Sequence, residues 1–528
     1  MSIARDPRSP LIHRSTLCLA GLLALCVASG VRAGDAVGEI HGDQDGGKIS
    51  RHLYGHFAEH LGRCIYDGIW VGEDSAVPNT HGYRTDIVEA LKAIDIPNLR
   101  WPGGCFADDY HWRDGIGPLD QRPKRVNLHW GKVIDTNAFG THEFLDLCEL
   151  LGADPYIAGN VGSGTPEEMR DWIEYMTFDG DSQLANLRRA NGREKPWKVK
   201  YFGIGNENWG CGGQMTPEYY SDLYRRYATF CHEYSGNRLV RIACGPNGAD
   251  RNWSRVVMQR VGGRTQGLSL HQYTLAAPWG DKLPATGFGE EKWFAILKES
   301  LGIEHAIRVT EEEMDRVDPK KRIGLFVDEW GAWYRTEPGA PDYGLYQQNS
   351  LRDALLAGMS LHMFHEHNDR IHMANIAQVV NVLQAMILTE GDKMLRTPTY
   401  HVFEMFKVHH DATRLPLELT SPDYAFGGES MPALSVSASR DDAGKVHVSI
   451  VNVDAKAPVK LRCRLSGVDA GAVRGRVLTA QRLDAHNTFE SPDRLTPREF
   501  DGASLADGEL VVEAPPRSVL VLELDEKK

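Results

Sequence analysis

Two glutamates stand out by their settings. Glu207 lies in Gly205-Asn206-Glu207-Asn208-Trp209 and Glu329 in Asp328-Glu329-Trp330-Gly331, each at the end of a short apolar run and each near a tryptophan. Two carboxylates aimed into one pocket are what glycosidic cleavage requires. One must be protonated to release the leaving oxygen, and the other ionised to meet the developing oxocarbenium ion. Aromatic surfaces line sugar sites and shape the dielectric that separates two carboxylate pKa values. One such glutamate alone would more simply cap a helix or pair with an arginine; two in matching positions favour chemistry.

Other polar residues fall at the ends of apolar runs in the same way: Glu59 and His60, Arg100, Asn160, and His271 with Tyr273. Each alone reads equally well as a satisfied structural residue or a rim ion pair. A His-rich stretch, His362, His365, His367 and His372 with Glu366 and Asp369, matches neither HExxH nor a helical pair of ligands with a supporting acid. No metal is expected there; the stretch is expected to end the last strand of the sheet and shape the pocket. Gly103-Gly104 and Gly162-Ser163-Gly164 lack the Gly-Lys-Ser/Thr of a phosphate loop and read as tight turns.

These residues need a frame that aims them at one place. Between residues 52 and 413, eight short strand-like runs alternate with helix-periodic ones: Leu53 to Phe57, Asn98 to Trp101, Pro155 to Asn160, Val199 to Gly205, Leu239 to Cys244, Leu268 to Tyr273, Gly324 to Asp328 and Leu361 to His365. Thr165-Pro166 and Thr216-Pro217 mark helix starts, with Thr as cap and Pro in the first turn. The alternation predicts an α/β fold, a (β/α)8 TIM barrel, with an open doubly wound sheet as the other solution. In a barrel the reacting groups sit where strands end, which is where both glutamates fall. From residue 414 to 528 helical periodicity gives way to alternating strands broken by turns such as Asp441-Asp442-Ala443-Gly444, the texture of an antiparallel β-sandwich. Residues 34–51 read as a strand segment that packs on it.

The chain has 528 residues, 42% of them hydrophobic, and a net charge of -13, with no Lys/Arg block that could follow a phosphate backbone. Nucleic acid is excluded as a partner on that ground. Arg5, Arg8 and Arg14 precede an uncharged run from Ser15 to Val31 that ends in Val31-Arg32-Ala33, so residues 1–33 read as a signal peptide, cut after Ala33. An N-terminal membrane anchor is the alternative, and the run is short for one. The expectation is an exported, periplasmic or extracellular protein with no membrane contact after cleavage. Seven cysteines would remain, an odd number without CxxC spacing, so a disulfide framework is disfavoured while one or two bridges stay open.

The stretches Tyr54-Gly-His-Phe-Ala-Glu-His-Leu-Gly-Arg63, Leu99-Arg-Trp-Pro-Gly-Gly104, Gly205-Asn-Glu207, Asp328-Glu-Trp330, Met373-Ala-Asn-Ile-Ala-Gln378 and Thr397-Pro-Thr-Tyr-His-Val-Phe-Glu-Met405 resemble, in that order, the glycoside hydrolase family 51 α-L-arabinofuranosidases. The resemblance runs from about Gly38 to the C-terminus. It implies a (β/α)8 barrel joined to a β-sandwich, with Glu207 as general acid/base and Glu329 as nucleophile of a retaining, exo-acting enzyme that needs no cofactor. Glu59, Arg100, Asn206, Tyr273 and Gln378 match positions that hydrogen-bond the furanose or orient the carboxylates, and His271 a neighbour of the acid/base. Where well-known members carry an Asn that contacts the sugar, this chain has Cys105, a poorer hydrogen-bond partner, which bears on the exact substrate. The implied substrates are arabinan, arabinoxylan and their oligosaccharides, and the implied assembly is a homo-oligomer. Two alternatives remain open: another retaining hydrolase on the same barrel (a β-xylosidase or endoglucanase), and a carbohydrate-binding protein without turnover.

Overall fold

A computed structural model of the protein describes residues 34–527. Eight parallel strands close into a barrel in chain order: Gly55–Phe57, Asn98–Trp101, Asp154–Gly159, Tyr201–Ile204, Val240–Ala243, Gly267–Thr274, Gly324–Ala332 and Ile371–Ala377. The open doubly wound alternative is thereby excluded. The strands are short, and four of the eight are buried along their whole length, as suits parallel strands between a packed lumen and a helical ring. Tyr156, Tyr201, Ile242, Phe326 and Met373 form an apolar cluster of their own, drawn from five of these strands. The helix starts follow their sequence signals: Thr165, Thr216 and Thr397 each accept a hydrogen bond from the backbone N–H three residues on, with Pro in the first turn.

One strand assignment needs correction. Leu361 to His365 is not the eighth strand but the end of a helix, Leu351–Glu366, whose start is closed reciprocally by Ser350 and Asp353. The eighth strand is the next apolar run, Ile371–Ala377. The helix misleads because it packs against a barrel strand on one side and the sandwich on the other, so its residues are buried all round and the amphipathic stripe that marks a helix is missing.

The sequence expectation that the His-rich stretch shapes the pocket is not met: His362 and His365 tie the two domains together, while His367 pairs with Glu311 (2.9 Å) on a barrel helix and His372 lies on the eighth strand. His362 bonds Ser435 Oγ (2.9 Å) and Ser449 Oγ (2.8 Å), and His365 bonds Ser437 Oγ (2.9 Å) and the Tyr54 hydroxyl (2.8 Å). His409 joins them through Ser439 Oγ (2.7 Å) and Ser449 Oγ (2.9 Å). Hydroxyls both donate and accept, so each neutral imidazole is satisfied at both nitrogens.

The C-terminal domain is two stacked sheets. One has five strands, in the order Leu417–Thr420, Ala36–His41, Val459–Ser466, Glu509–Ala514 and Ala503–Ala506. The other has six: Thr413–Leu415, Leu434–Arg440, Val446–Asn452, Ser518–Glu526, Ala470–Thr479 and Arg498–Phe500. The strand Ala36–His41 is inserted between two C-terminal strands, antiparallel to one and parallel to the other. No helix among the described residues is long and apolar enough to cross a membrane.

Candidate active site

Glu207 sits in the turn that follows the fourth barrel strand, at a left-handed backbone conformation (φ 42°) that only the surrounding structure can hold. The bracing comes from Asp108, in the loop after the second strand. Its Oδ2 accepts from Asn206 N–H (2.8 Å) and Asn208 Nδ2 (3.0 Å), while Oδ1 accepts from Val161 N–H (2.6 Å) and Gly162 N–H (2.9 Å) in the loop after the third strand. One buried carboxylate thus fixes three loops around the acid/base candidate.

Glu329 lies inside the seventh strand with both oxygens occupied. Arg100 Nη1 donates to Oε1 (2.9 Å) and the Tyr273 hydroxyl to Oε2 (2.8 Å). Arg100 is itself buried, over the Phe57 ring, and its Nη2 donates to Asn206 Oδ1. His271 Nδ1 stands between the two glutamates, 2.9 Å from Glu207 Oε1 and 3.5 Å from Glu329 Oε2. Carboxylate oxygens of Glu207 and Glu329 approach within 4.8 Å of one another. That spacing fits a nucleophile and an acid/base acting on one anomeric carbon; placing a water between nucleophile and sugar needs roughly 6.5–9.5 Å.

Burial and charge separate the two. Burial pushes Glu207 up, opposed by its bond to His271 and helped by the charge of Glu329, so its proton is held above the usual carboxylate range. Burial alone would raise Glu329 too, but the charges of His271 and Arg100 and the hydrogen bonds from Arg100 and Tyr273 outweigh it and hold Glu329 below its ordinary value. One glutamate is poised as an acid and the other as an anion. His271, which burial would lower, is instead raised by Glu329 and Glu207.

Glu59, after the first strand, accepts from Phe106 N–H (3.0 Å), Trp130 Nε1 (3.0 Å) and Gln378 Nε2 (3.2 Å). Burial and the nearby charge of Glu329 push it up to about 7. Gly103 and Gly104 do more than turn the chain. A Cβ would lie 2.5 Å from Glu59 Cγ at Gly103 and 2.9 Å from Glu329 Oε1 at Gly104, so the backbone passes where a side chain would displace either carboxylate. Asn206 Nδ2 and Gln378 Oε1 are buried with no protein partner. Such atoms are hydrogen-bonding groups free to meet a hydroxylated ligand.

The structure thus brings together Glu207, Glu329, Glu59, Arg100, Asn206, His271, Tyr273 and Gln378. His60 and Asn160 fall outside this group: His60 pairs with Asp135 (2.7 Å) and Trp101, and Asn160 organises its own loop. Cys105 reaches the site in a form the sequence reading did not specify. It is joined to Cys211 in a disulfide, so its sulfur is not a thiol and offers a sugar no S–H donor. Asp108, Trp130 and Cys211 were missed. Asp108 stands three residues after Cys105, but nothing in spacing says that its carboxylate faces inward.

Comparisons with known proteins give the family. Residues 90–274 match the "Alpha-L-arabinofuranosidase 1 domain" family model and residues 328–518 the "Alpha-L-arabinofuranosidase C-terminal domain" model. An intracellular exo-α-L-arabinofuranosidase of Bacteroides ovatus is 51% identical over 92% of this chain and 95% of its own. The chain belongs to glycoside hydrolase family 51. Among solved structures, the family 51 arabinofuranosidase of Xanthomonas axonopodis pv. citri superposes with a TM-score of 0.93 at 49% identity, covering 93% of this chain and all of that one. The arabinose complex of the Thermotoga maritima α-L-arabinofuranosidase gives 0.83 at 32% identity, over 93% of this chain and 99% of that one. This family 51 chain is a glycoside hydrolase with a carbohydrate substrate. The expectation of export to the periplasm or beyond is corrected here, because the Bacteroides ovatus relative is named as an intracellular enzyme. Residues 1–33, on which that expectation rested, lie outside the described residues.

Proposed function

We propose that this family 51 enzyme removes terminal α-L-arabinofuranosyl groups, one at a time, from arabinan, arabinoxylan or their oligosaccharides, with retention of configuration. The observation that carries the reading is the pair Glu207 and Glu329, close together, one held protonated and the other ionised by their surroundings. Glu329 Oε attacks the anomeric carbon while Glu207 gives its proton to the departing oxygen. Glu207, now a carboxylate, then takes a proton from water, which displaces Glu329 and frees arabinose. Arg100 and Tyr273 hold the nucleophile and His271 the acid/base, while Asn206, Gln378 and Glu59 offer hydrogen bonds to the hydroxyls of the ring. The site's role assignments and the homo-oligomer implied by the family resemblance belong to the same proposal.

The test is 4-nitrophenol release from 4-nitrophenyl α-L-arabinofuranoside, beside a β-xylopyranoside and the Glu329→Ala variant, with NMR of the first-formed sugar. Turnover confined to the arabinofuranoside, first product in the α-configuration and a loss of roughly 10⁴-fold in the variant are expected. Turnover of the xylopyranoside alone would favour a β-xylosidase, and sugar binding with no turnover a binding protein; either sinks the proposal.

A further inference from the structure

The Cys105–Cys211 disulfide touches the acid/base itself. Cys211 Sγ lies 3.4 Å from Glu207 Oε2. Because Oε1 of the same carboxyl is taken by His271, Oε2 is the oxygen left to carry and deliver the proton. Both cysteines are half-buried, whereas the remaining cysteines of the described residues, Cys64, Cys148, Cys231, Cys244 and Cys463, are buried. Among the described residues a thiol–disulfide reaction therefore has one accessible target, and it is beside the chemistry.

One sulfur of each cysteine and one oxygen of Glu207 lie within 4.8 Å of one another. We propose that, once the disulfide is reduced, Cys105, Cys211 and Glu207 form a site for a thiophilic divalent cation of the zinc or cadmium kind, which switches the enzyme off by coordinating its acid/base. Two thiolates and a carboxylate are a soft ligand set that favours these ions over magnesium or calcium. Ligands sharing one tetrahedral ion stand roughly 3.3–3.8 Å apart, within reach of small side-chain rotations from the distances seen here.

The disulfide is not what keeps these residues together. Asp108, three residues after Cys105, holds the Asn206–Asn208 turn and the loop at Val161 and Gly162 through its four hydrogen bonds. Cys211 in turn follows Gly210, whose N–H donates to Glu207 O (2.6 Å), and precedes Gly212, whose N–H reaches the same oxygen (3.1 Å). Cleaving the S–S bond leaves two thiols facing one another and Glu207.

A dithiol or phosphine reductant supplies two electrons, the S–S bond breaks, and two protons complete the two thiols while the reductant is oxidised. The cation then displaces both thiol protons and the acid proton of Glu207 and binds three anionic ligands, with its fourth position open to the pocket. A metal-bound Glu207 has no proton to donate and no free oxygen to activate water, so both halves of double displacement stop.

The inhibition arm rests on the proposed function; the binding arm does not. Enzyme is reduced with a phosphine, freed of reductant without air, and titrated with Cd²⁺ while thiolate-to-cadmium charge-transfer absorbance and arabinofuranoside turnover are followed together. The oxidised enzyme and the Cys105→Ser and Cys211→Ser variants are titrated alongside. One Cd²⁺ per chain is expected in the reduced wild type, with at least a tenfold loss of turnover that EDTA reverses. The oxidised enzyme is expected to show no such absorbance, each serine variant to lose most of it, and Glu207→Gln to keep the absorbance with weaker affinity. Absorbance that persists undiminished in both serine variants, or that appears without loss of turnover, overturns the proposal. So does equal inhibition of the oxidised enzyme, which would put the ion on Glu207, His271 and Glu329 instead. An enzyme with no arabinofuranoside turnover in any state would refute the proposed function, and the absorbance would still decide whether the cation site exists.

Discussion

Asp108 offers the sharpest test of how the acid/base is held. Replacing it with Ala strands the N–H groups of Val161, Gly162 and Asn206 and the amide of Asn208, which all point at one buried carboxylate. At about 1–3 kcal/mol for each unsatisfied group, the full penalty is about 4–12 kcal/mol. Water entering the vacated space would satisfy part of it, so a loss of about 4 kcal/mol is expected. Asp108→Asn keeps one acceptor oxygen but turns an NH2 toward two donors, for about half that loss. The functional effect should be selective. Release of the turn that holds Glu207 at φ 42° displaces the proton donor more than the nucleophile, which is fixed from other strands by Arg100 and Tyr273. A displacement of about 1 Å costs on the order of 10²-fold. Turnover of an arabino-oligosaccharide, whose leaving oxygen needs the proton, should therefore fall about 10²-fold in Asp108→Asn. The kcat/KM of the 2,4-dinitrophenyl arabinofuranoside, whose leaving group does not, should fall far less, because that ratio reports only the first displacement. Urea denaturation and the two kcat/KM values check this. An Asp108→Ala protein with an unchanged urea midpoint, or an Asp108→Asn enzyme that loses both substrates equally, would show that Asp108 does not position Glu207.

The other predictions concern pH. Activity should follow a bell, falling on the acid side as Glu329, held below its ordinary range, is protonated, and on the alkaline side as Glu207, held above it, loses its proton; a kcat/KM profile of wild type beside His271→Gln, in which both limbs move, measures this. The interdomain histidines should make the fold acid-sensitive. His362, buried, is pulled down to about 3 from 6.5, so below about pH 6.5 the unfolded chain binds the proton and the folded one does not. Stability then falls as pH drops through that window, by up to about 1.4 kcal/mol per pH unit for this residue, and the fall should be shallower in His362→Gln when urea midpoints are compared from pH 7 to 4. A variant with the wild-type slope would remove His362 from the account.

Sequence alone settled a good deal. Alternation of strand and helix signals, Thr-Pro helix starts and the loss of helical period after residue 414 implied the barrel and the sandwich, because those are local patterns that burial on defined faces imposes. It also picked out Glu207 and Glu329, since a parallel barrel puts every strand end on one face and polar residues there are rarely idle. It failed where burial is uniform: the helix Leu351–Glu366 has no polar side, so its last residues passed for a strand and its histidines for pocket residues, when the sandwich covers them. It also left open what depends on two distant segments meeting. Asp108 with the loops at 161 and 206, Cys105 with Cys211, and the partition of one proton between two glutamates are fixed by distances and dielectric, and those exist only once the chain has closed around them.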